Sequence, residues 1–167
     1  MKILSIGIFA LLLFVLFIGC QNTSTPLTED EKEEIIKEVK KAFETSTSAV
    51  NEHDASRIAQ FCWNDEDYLY AGNGTLIKGW ERHNQICAEI HSTPKNQSFT
   101  IDYDEIIIKV LKRDAVMLVG KGYFHDILTE EGVKSVDLVI TFLIEKINDK
   151  WVITIGHESS SEPILIF

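Results

Sequence analysis

From Phe99 to Glu158 the chain reads as four successive strands, Phe99 to Leu111, Ala115 to Leu128, Val133 to Ile147 and Lys150 to Glu158. Only the polar turns Lys112-Arg113-Asp114, Glu130-Glu131-Gly132 and Asn148-Asp149 separate them. Two or three residues cannot carry a crossover, so neighbouring strands must be antiparallel. The strands exceed the usual five or six residues, and strands of that length commonly bulge. Such a meander has to bury one face against another layer, which the preceding segments must supply.

Those segments are helical. Thr28 followed by Glu31 forms a capping box, acidic residues at 29 to 31 favour the positive end of a helix, and Ile35, Ile36, Val39, Ala42, Phe43 and Val50 recur at helical spacing. Asp54 can cap a second, short helix carrying Ile58, Ala59 and Phe61. Tyr68 to Ala71 and Leu76-Ile77 flank Gly72-Asn73-Gly74-Thr75, a strong hairpin signal. Gly79 closes that hairpin, and Trp80 to His91 reads as a third helix with Ile86, Cys87 and Ile90 inward. The expected class is α+β: three helices with an inserted hairpin, packed on a curved antiparallel sheet.

The N-terminus is of another kind. After Lys2, the sixteen residues from Ile3 to Ile18 are apolar except for Ser5 and Gly7. A membrane-spanning helix needs roughly 20 apolar residues, so the run suits a cleaved signal peptide better than its rival, a signal anchor. The tetrad Phe17-Ile18-Gly19-Cys20 resembles the lipobox of bacterial lipoproteins, although Phe17 stands where Leu is usual. That resemblance implies a signal peptide over 1–19, a lipidated Cys20 with a short polar spacer over 20–27, and one domain over 28–167, held at a bilayer of the cell envelope.

The whole chain carries a net charge of −10, and no cluster of Lys and Arg stands against it. Nucleic acid is therefore not an expected partner, because phosphate binding needs a basic patch. Cys62 and Cys87 remain beside Cys20; an oxidising compartment permits them to pair, whereas their apolar helical neighbours favour two buried thiols. No Cys and His spacing matches a structural zinc site, and no cofactor is implied.

Strand alternation places the candidate pocket. Pairing Ile147 with Lys150 sets Ile144, Phe142 and Ile140 opposite Ile153, Ile155 and His157, so His157 is expected inward at the end of an apolar row. The other face carries Asp137, Thr141, Glu145, Thr154 and Glu158. One strand further, Val116, Leu118, Gly120, Gly122 and Phe124 face inward, and the two glycines either open cavity space or mark bulges. The next register brings Val110, Ile108, Ile106 and Asp104 inward, with Asp104 opposite Gly122. A carboxylate and an imidazole in one apolar concavity would have shifted pKa values and suit proton transfer, which makes Asp104 and His157 the catalytic candidates. The alternative is that His157 is structural and that a bulge turns Asp104 to solvent. Candidate ligand contacts are Tyr68, Tyr70, Trp80, Gly120, Gly122, Phe124 and Phe142, although aromatics in such places are often core. His83 and Asn84 either reach the pocket mouth or are solvated. Tyr123 and His125 fall on the outer face.

The helix, the short helix, Asp67-Tyr68 leading to Gly72-Asn73-Gly74-Thr75, Gly79-Trp80-Glu81, and Trp151-Val152-Ile153 with His157 and Ser159 together resemble a SnoaL-like domain of the nuclear transport factor 2-like superfamily. The resemblance spans about residues 30 to 160. It implies a cone with a pocket at its open end, and it is compatible with binding or with isomerase, dehydratase or cyclase chemistry. Three expectations follow: a lipid-anchored cone binding a small apolar ligand, an isomerase or dehydratase using Asp104 and His157, or an interaction module that dimerises through the outer sheet face.

Overall fold

A computed structural model describes residues 26–72, 74–94 and 98–164; the expected signal peptide and the expected lipidation site at Cys20 lie outside the described residues. Helix α1 runs Glu29–Asn51, α2 Ala55–Gln60 and α3 Trp80–Ser92. Strands β1 (Leu69–Gly72) and β2 (Thr75–Lys78) form the hairpin, and β3 (Thr100–Lys112), β4 (Ala115–Thr129), β5 (Gly132–Ile147) and β6 (Lys150–Ser160) form the meander.

Local chemistry fixes the boundaries. Thr28 and Glu31 exchange both capping-box bonds, at 2.8 and 3.2 Å, and Asp54 accepts from the Arg57 amide at the start of α2. At the last turn Asn148 and Asp149 both take left-handed φ, 50° and 62°, the mirror-image geometry that lets a two-residue turn follow the strands' twist.

The sheet order is β2-β1-β6-β5-β4-β3. It departs from the expected antiparallel sheet at one seam, where β1 runs parallel to β6. That pairing is open to β1 because β2, helix α3 and strands β3 to β5, rather than a tight turn, separate the two strands in the chain.

All three helices lie over one side. Glu38 of α1 accepts from Lys146 Nζ and from Trp151 Nε1, each at 2.8 Å, and so holds the helix over the β5–β6 hairpin. At the other end of α1, the Asn51 amide brackets the backbone of Ile101 with bonds of 2.9 and 2.7 Å. The core lies between the layers. Val116, Leu118 and Phe124 of β4 and Leu138, Ile140, Phe142 and Ile144 of β5 are buried, so the inward rows read from alternation hold on these two strands.

Four irregularities interrupt the register of the meander, and two of them, in β3 and β6, move candidate site residues. Tyr103 pairs with Gly122 and Glu105 with Lys121, leaving Asp104 as an extra residue in β3. Ile144 pairs with Ile153 and Leu143 with Ile155, leaving Thr154 extra in β6. Because side chains alternate with period two, one inserted residue reverses the facing of everything beyond it. Asp104 and His157 are consequently exposed, whereas Tyr103, Gly156 and Glu158 turn toward the helices.

Candidate functional site

The helices do not fill the concavity of the sheet. A cavity of about 120 Å³ remains between them. Phe43, Thr47 and Val50 of α1 and His83, Ile86 and Cys87 of α3 wall it on the helical side. Tyr70, Tyr103, Phe124, Phe142 and Glu158 line it from the sheet, and Cys62 and Tyr68 close it between. These walls are largely aromatic and apolar, as in most small-molecule sites.

Glu158 is the only carboxylate among the lining residues, and no Lys or Arg joins it. The residue is half-buried, while its Oε1 is closed off from solvent and has no hydrogen-bond partner among the described residues. The other oxygen, Oε2, accepts from the Tyr70 hydroxyl at 2.8 Å. Burial pushes the Glu158 pKa up to about 7, and the Tyr70 bond offsets part of that rise.

The remaining polar groups around the cavity are held neutral. Burial drives the Tyr68, Tyr70 and Tyr103 hydroxyls well above their ordinary pKa. It also pushes the free thiols of Cys62 and Cys87 up to about 11 and about 12, and it takes His83 and His91 down to about 4. His83 lies against both tyrosine rings, with centroids 4.9 Å from Tyr68 and from Tyr70. The arrangement is one ionisable carboxyl in an otherwise uncharged cup. Such a group can pair with a cationic donor or exchange a proton with a bound molecule.

Of the candidates read from the sequence, Tyr68, Tyr70, Phe124 and Phe142 line this cavity. Trp80 packs against the core from outside it, its Nε1 donating to Ala59 O at 3.3 Å. Neither Gly120 nor Gly122 opens the cavity. A Cβ at 122 would stand 1.9 Å from Asp102 O, and one at 120 would stand 3.0 Å from Ile140 Cγ1, so these glycines admit the β3 bulge and core side chains. Asp104 and His157 share no concavity. Asp104 is exposed on the outer face beside Tyr123, whose hydroxyl its carboxylate holds above the ordinary pKa, and His157 sits exposed at the β1–β6 seam. Sequence reasoning assigned Glu158 to the wetter face and left Tyr103 unplaced. Glycines at 122 and 156, at places where another backbone or an aromatic ring approaches, were the available signal.

Helices laid over a curved six-stranded sheet, with an apolar pocket between the layers, define the cone of the nuclear transport factor 2-like class. A profile of the calcium/calmodulin dependent protein kinase II association domain matches residues 35–162, and the chain belongs to that family within the superfamily. Among solved structures it is similar to an NTF-2 like protein of unknown function from Shewanella oneidensis, with 25% identity, a TM-score of 0.65, and coverage of 74% of this chain and 98% of that one. A putative calcium/calmodulin dependent protein kinase II association domain from Xanthomonas campestris is 19% identical, with a TM-score of 0.60 and coverage of 74% and 85%. The hexachlorocyclohexane dehydrochlorinase LinA-type3 of Novosphingobium barchaimii shares the fold at 15% identity, with a TM-score of 0.67 and coverage of 83% and 94%. No curated protein sequence matches.

Proposed function

We propose that the mature chain is anchored to the bacterial envelope through a lipidated Cys20 and that its cone binds a small, largely apolar molecule. The observation that carries this reading is the cavity itself, aromatic on most sides and with a single carboxyl, Glu158, among its lining residues. Its volume is comparable to an apolar protein cavity of roughly 150 Å³ known to admit benzene. The motifs that resemble SnoaL-like domains support the same reading, a cone with a pocket at its open end. Asp104 and His157 do not support an isomerase or dehydratase here, because both are exposed and neither lines the cavity. Native mass spectrometry and thermal shift of the protein against an envelope metabolite extract test the proposal. A retained small molecule, or stabilisation by an extract fraction, is expected; the absence of both overturns it.

A second reading is compatible with the first. Met117 pairs with Leu143, Leu143 with Ile155, and Ile155 with Leu69, so one apolar row crosses four strands on the face away from the helices. Met117, Ile155 and the nearby Ile107 are 39%, 44% and 56% exposed. Polar neighbours such as Lys109, Lys121 and Thr141 surround the row, a mixture suited to a reversible interface between two copies.

A further inference from the structure

We infer that the molecule this cavity accepts is a small organic cation, an aromatic or alkyl primary amine or amidine, whose charged head pairs with Oε1 of Glu158. The inference rests on the binding reading above and names the ligand class for the same cup.

Three observations converge on it. A carboxylate oxygen closed off from water and without a hydrogen-bond partner is costly, and a donor supplied by a ligand would remove that cost. Tyr70 already occupies Oε2, so the unpartnered oxygen, which a guest's head would reach by a small turn of the carboxyl, is the one left for it. The rest of the cup offers an anion nothing, because no Lys or Arg lines it and its histidines are neutral. By contrast, the faces of Tyr70, Tyr103, Phe43 and Phe142 suit a cation that carries an apolar body. A buried ammonium without a counter-charge would be strongly disfavoured, so the pair with Glu158 decides which guests enter.

The surroundings make the pairing readable by pH. Among the described residues, Tyr70 on β1, Tyr103 on β3 and Cys87 on α3 are the titratable groups that feel Glu158, with His83 behind the Tyr70 ring, while Ile140 and Gly72 flank it on the neighbouring strands without charge. Between pH 5 and 8 these neighbours keep one protonation state, and only Glu158 changes its own. A cationic guest requires the carboxylate. Its affinity should therefore fall about tenfold for each pH unit below the Glu158 pKa and level off above it.

The test is calorimetric titration of the full chain in nonionic detergent with three isosteric probes, benzylamine, benzyl alcohol and benzoate, using empty micelles as the reference. Benzylamine is expected to bind at least about tenfold more tightly than the other two at pH 8 and to lose that advantage toward pH 5. Glu158→Gln is expected to make benzylamine and benzyl alcohol bind alike. If that variant fails to fold, the wild-type pH profile and probe ranking decide alone. Benzyl alcohol or benzoate binding as tightly as benzylamine at pH 8, or benzylamine affinity that does not change with pH, overturns the amine assignment and leaves the pocket standing. No binding of any probe at millimolar concentration overturns the pocket reading together with it.

Discussion

The Tyr70 hydroxyl reaches Oε2 of Glu158 across the seam between β1 and β6, 2.8 Å away. Tyr70 is paired with Gly156, two residues before the carboxylate, and its ring lies over that glycine. A Cβ at 156 would stand 2.5 Å from Tyr70 Cδ2. The missing side chain therefore gives the ring its place, and the ring's hydroxyl gives the carboxylate the one hydrogen bond it has among the described residues. Removing the hydroxyl with Tyr70→Phe should raise the Glu158 pKa above its present value of about 7, because that bond is the influence lowering it. Carboxyl-carbon NMR titration measures this, and an unchanged or lower pKa would contradict the arrangement.

Glu158 also makes stability depend on pH. Its folded pKa of about 7 lies above the ordinary 4.5, so the unfolded chain ionises first as pH rises. The contribution of the protonated carboxyl is fully present below pH 4.5 and is lost as pH rises through 7, by about 3 kcal/mol in all. Glu158→Gln should match the wild type near pH 4.5 and exceed it increasingly toward pH 8. Paired urea melts across that range check the trend.

His83 acts in the opposite direction. Burial depresses its pKa from 6.5 to about 4, so the stability it supports is present above pH 6.5 and is lost as pH falls through 4. A His83→Gln variant that keeps a polar ring-sized group should lose less stability on acidification than the wild type, by an amount on the order of 3 kcal/mol between pH 7 and pH 3.5. Acid unfolding followed by circular dichroism reads the difference.

The inward glycines should separate by what stands over them. Gly122→Ala meets backbone at 1.9 Å where β3 bulges, and it is expected to cost about 3 kcal/mol or more. Gly156→Ala crowds the Tyr70 ring, a side chain rather than backbone, and reaches Phe142 only at ordinary contact distance, so the protein should fold with a loss of about 1–2 kcal/mol. The Glu158 pKa should nonetheless rise in that variant, as in Tyr70→Phe. Chemical denaturation of both variants, with NMR titration of the second, tests this ordering.

The outer row predicts an oligomeric state. Leu143 sits at its middle, between Met117 and Ile155. Leu143→Asp should yield a folded monomer where the wild type sediments as a dimer at concentrations of about 100 μM, well above a micromolar dissociation constant. A wild-type monomer under those conditions would remove the homodimer.

The anchor can be tested separately. Cells fed an alkyne-tagged fatty acid should label the wild type and leave Cys20→Ser unlabelled, and the variant should keep its signal peptide. Label on the variant, or none on the wild type, would refute lipidation at Cys20.

By itself the sequence determined the element order, most helix and strand boundaries, and the inward rows of β4 and β5. The reason is physical: capping groups, an Asn-Gly turn and tight polar turns act locally, and long apolar alternation admits one buried face. Tertiary structure alone decided which residues beyond the bulges face the cup. The extra residues Asp104 and Thr154 leave the alternation itself almost unmarked, and Ile155 keeps an apolar pattern that continues the wrong face. Sheet curvature against α1 and the parallel docking of β1 on β6 are long-range constraints, expressed in contacts between segments far apart in the chain. They place His157 and Asp104 on the outer face and bring Glu158, Tyr70 and Tyr103 into one cavity.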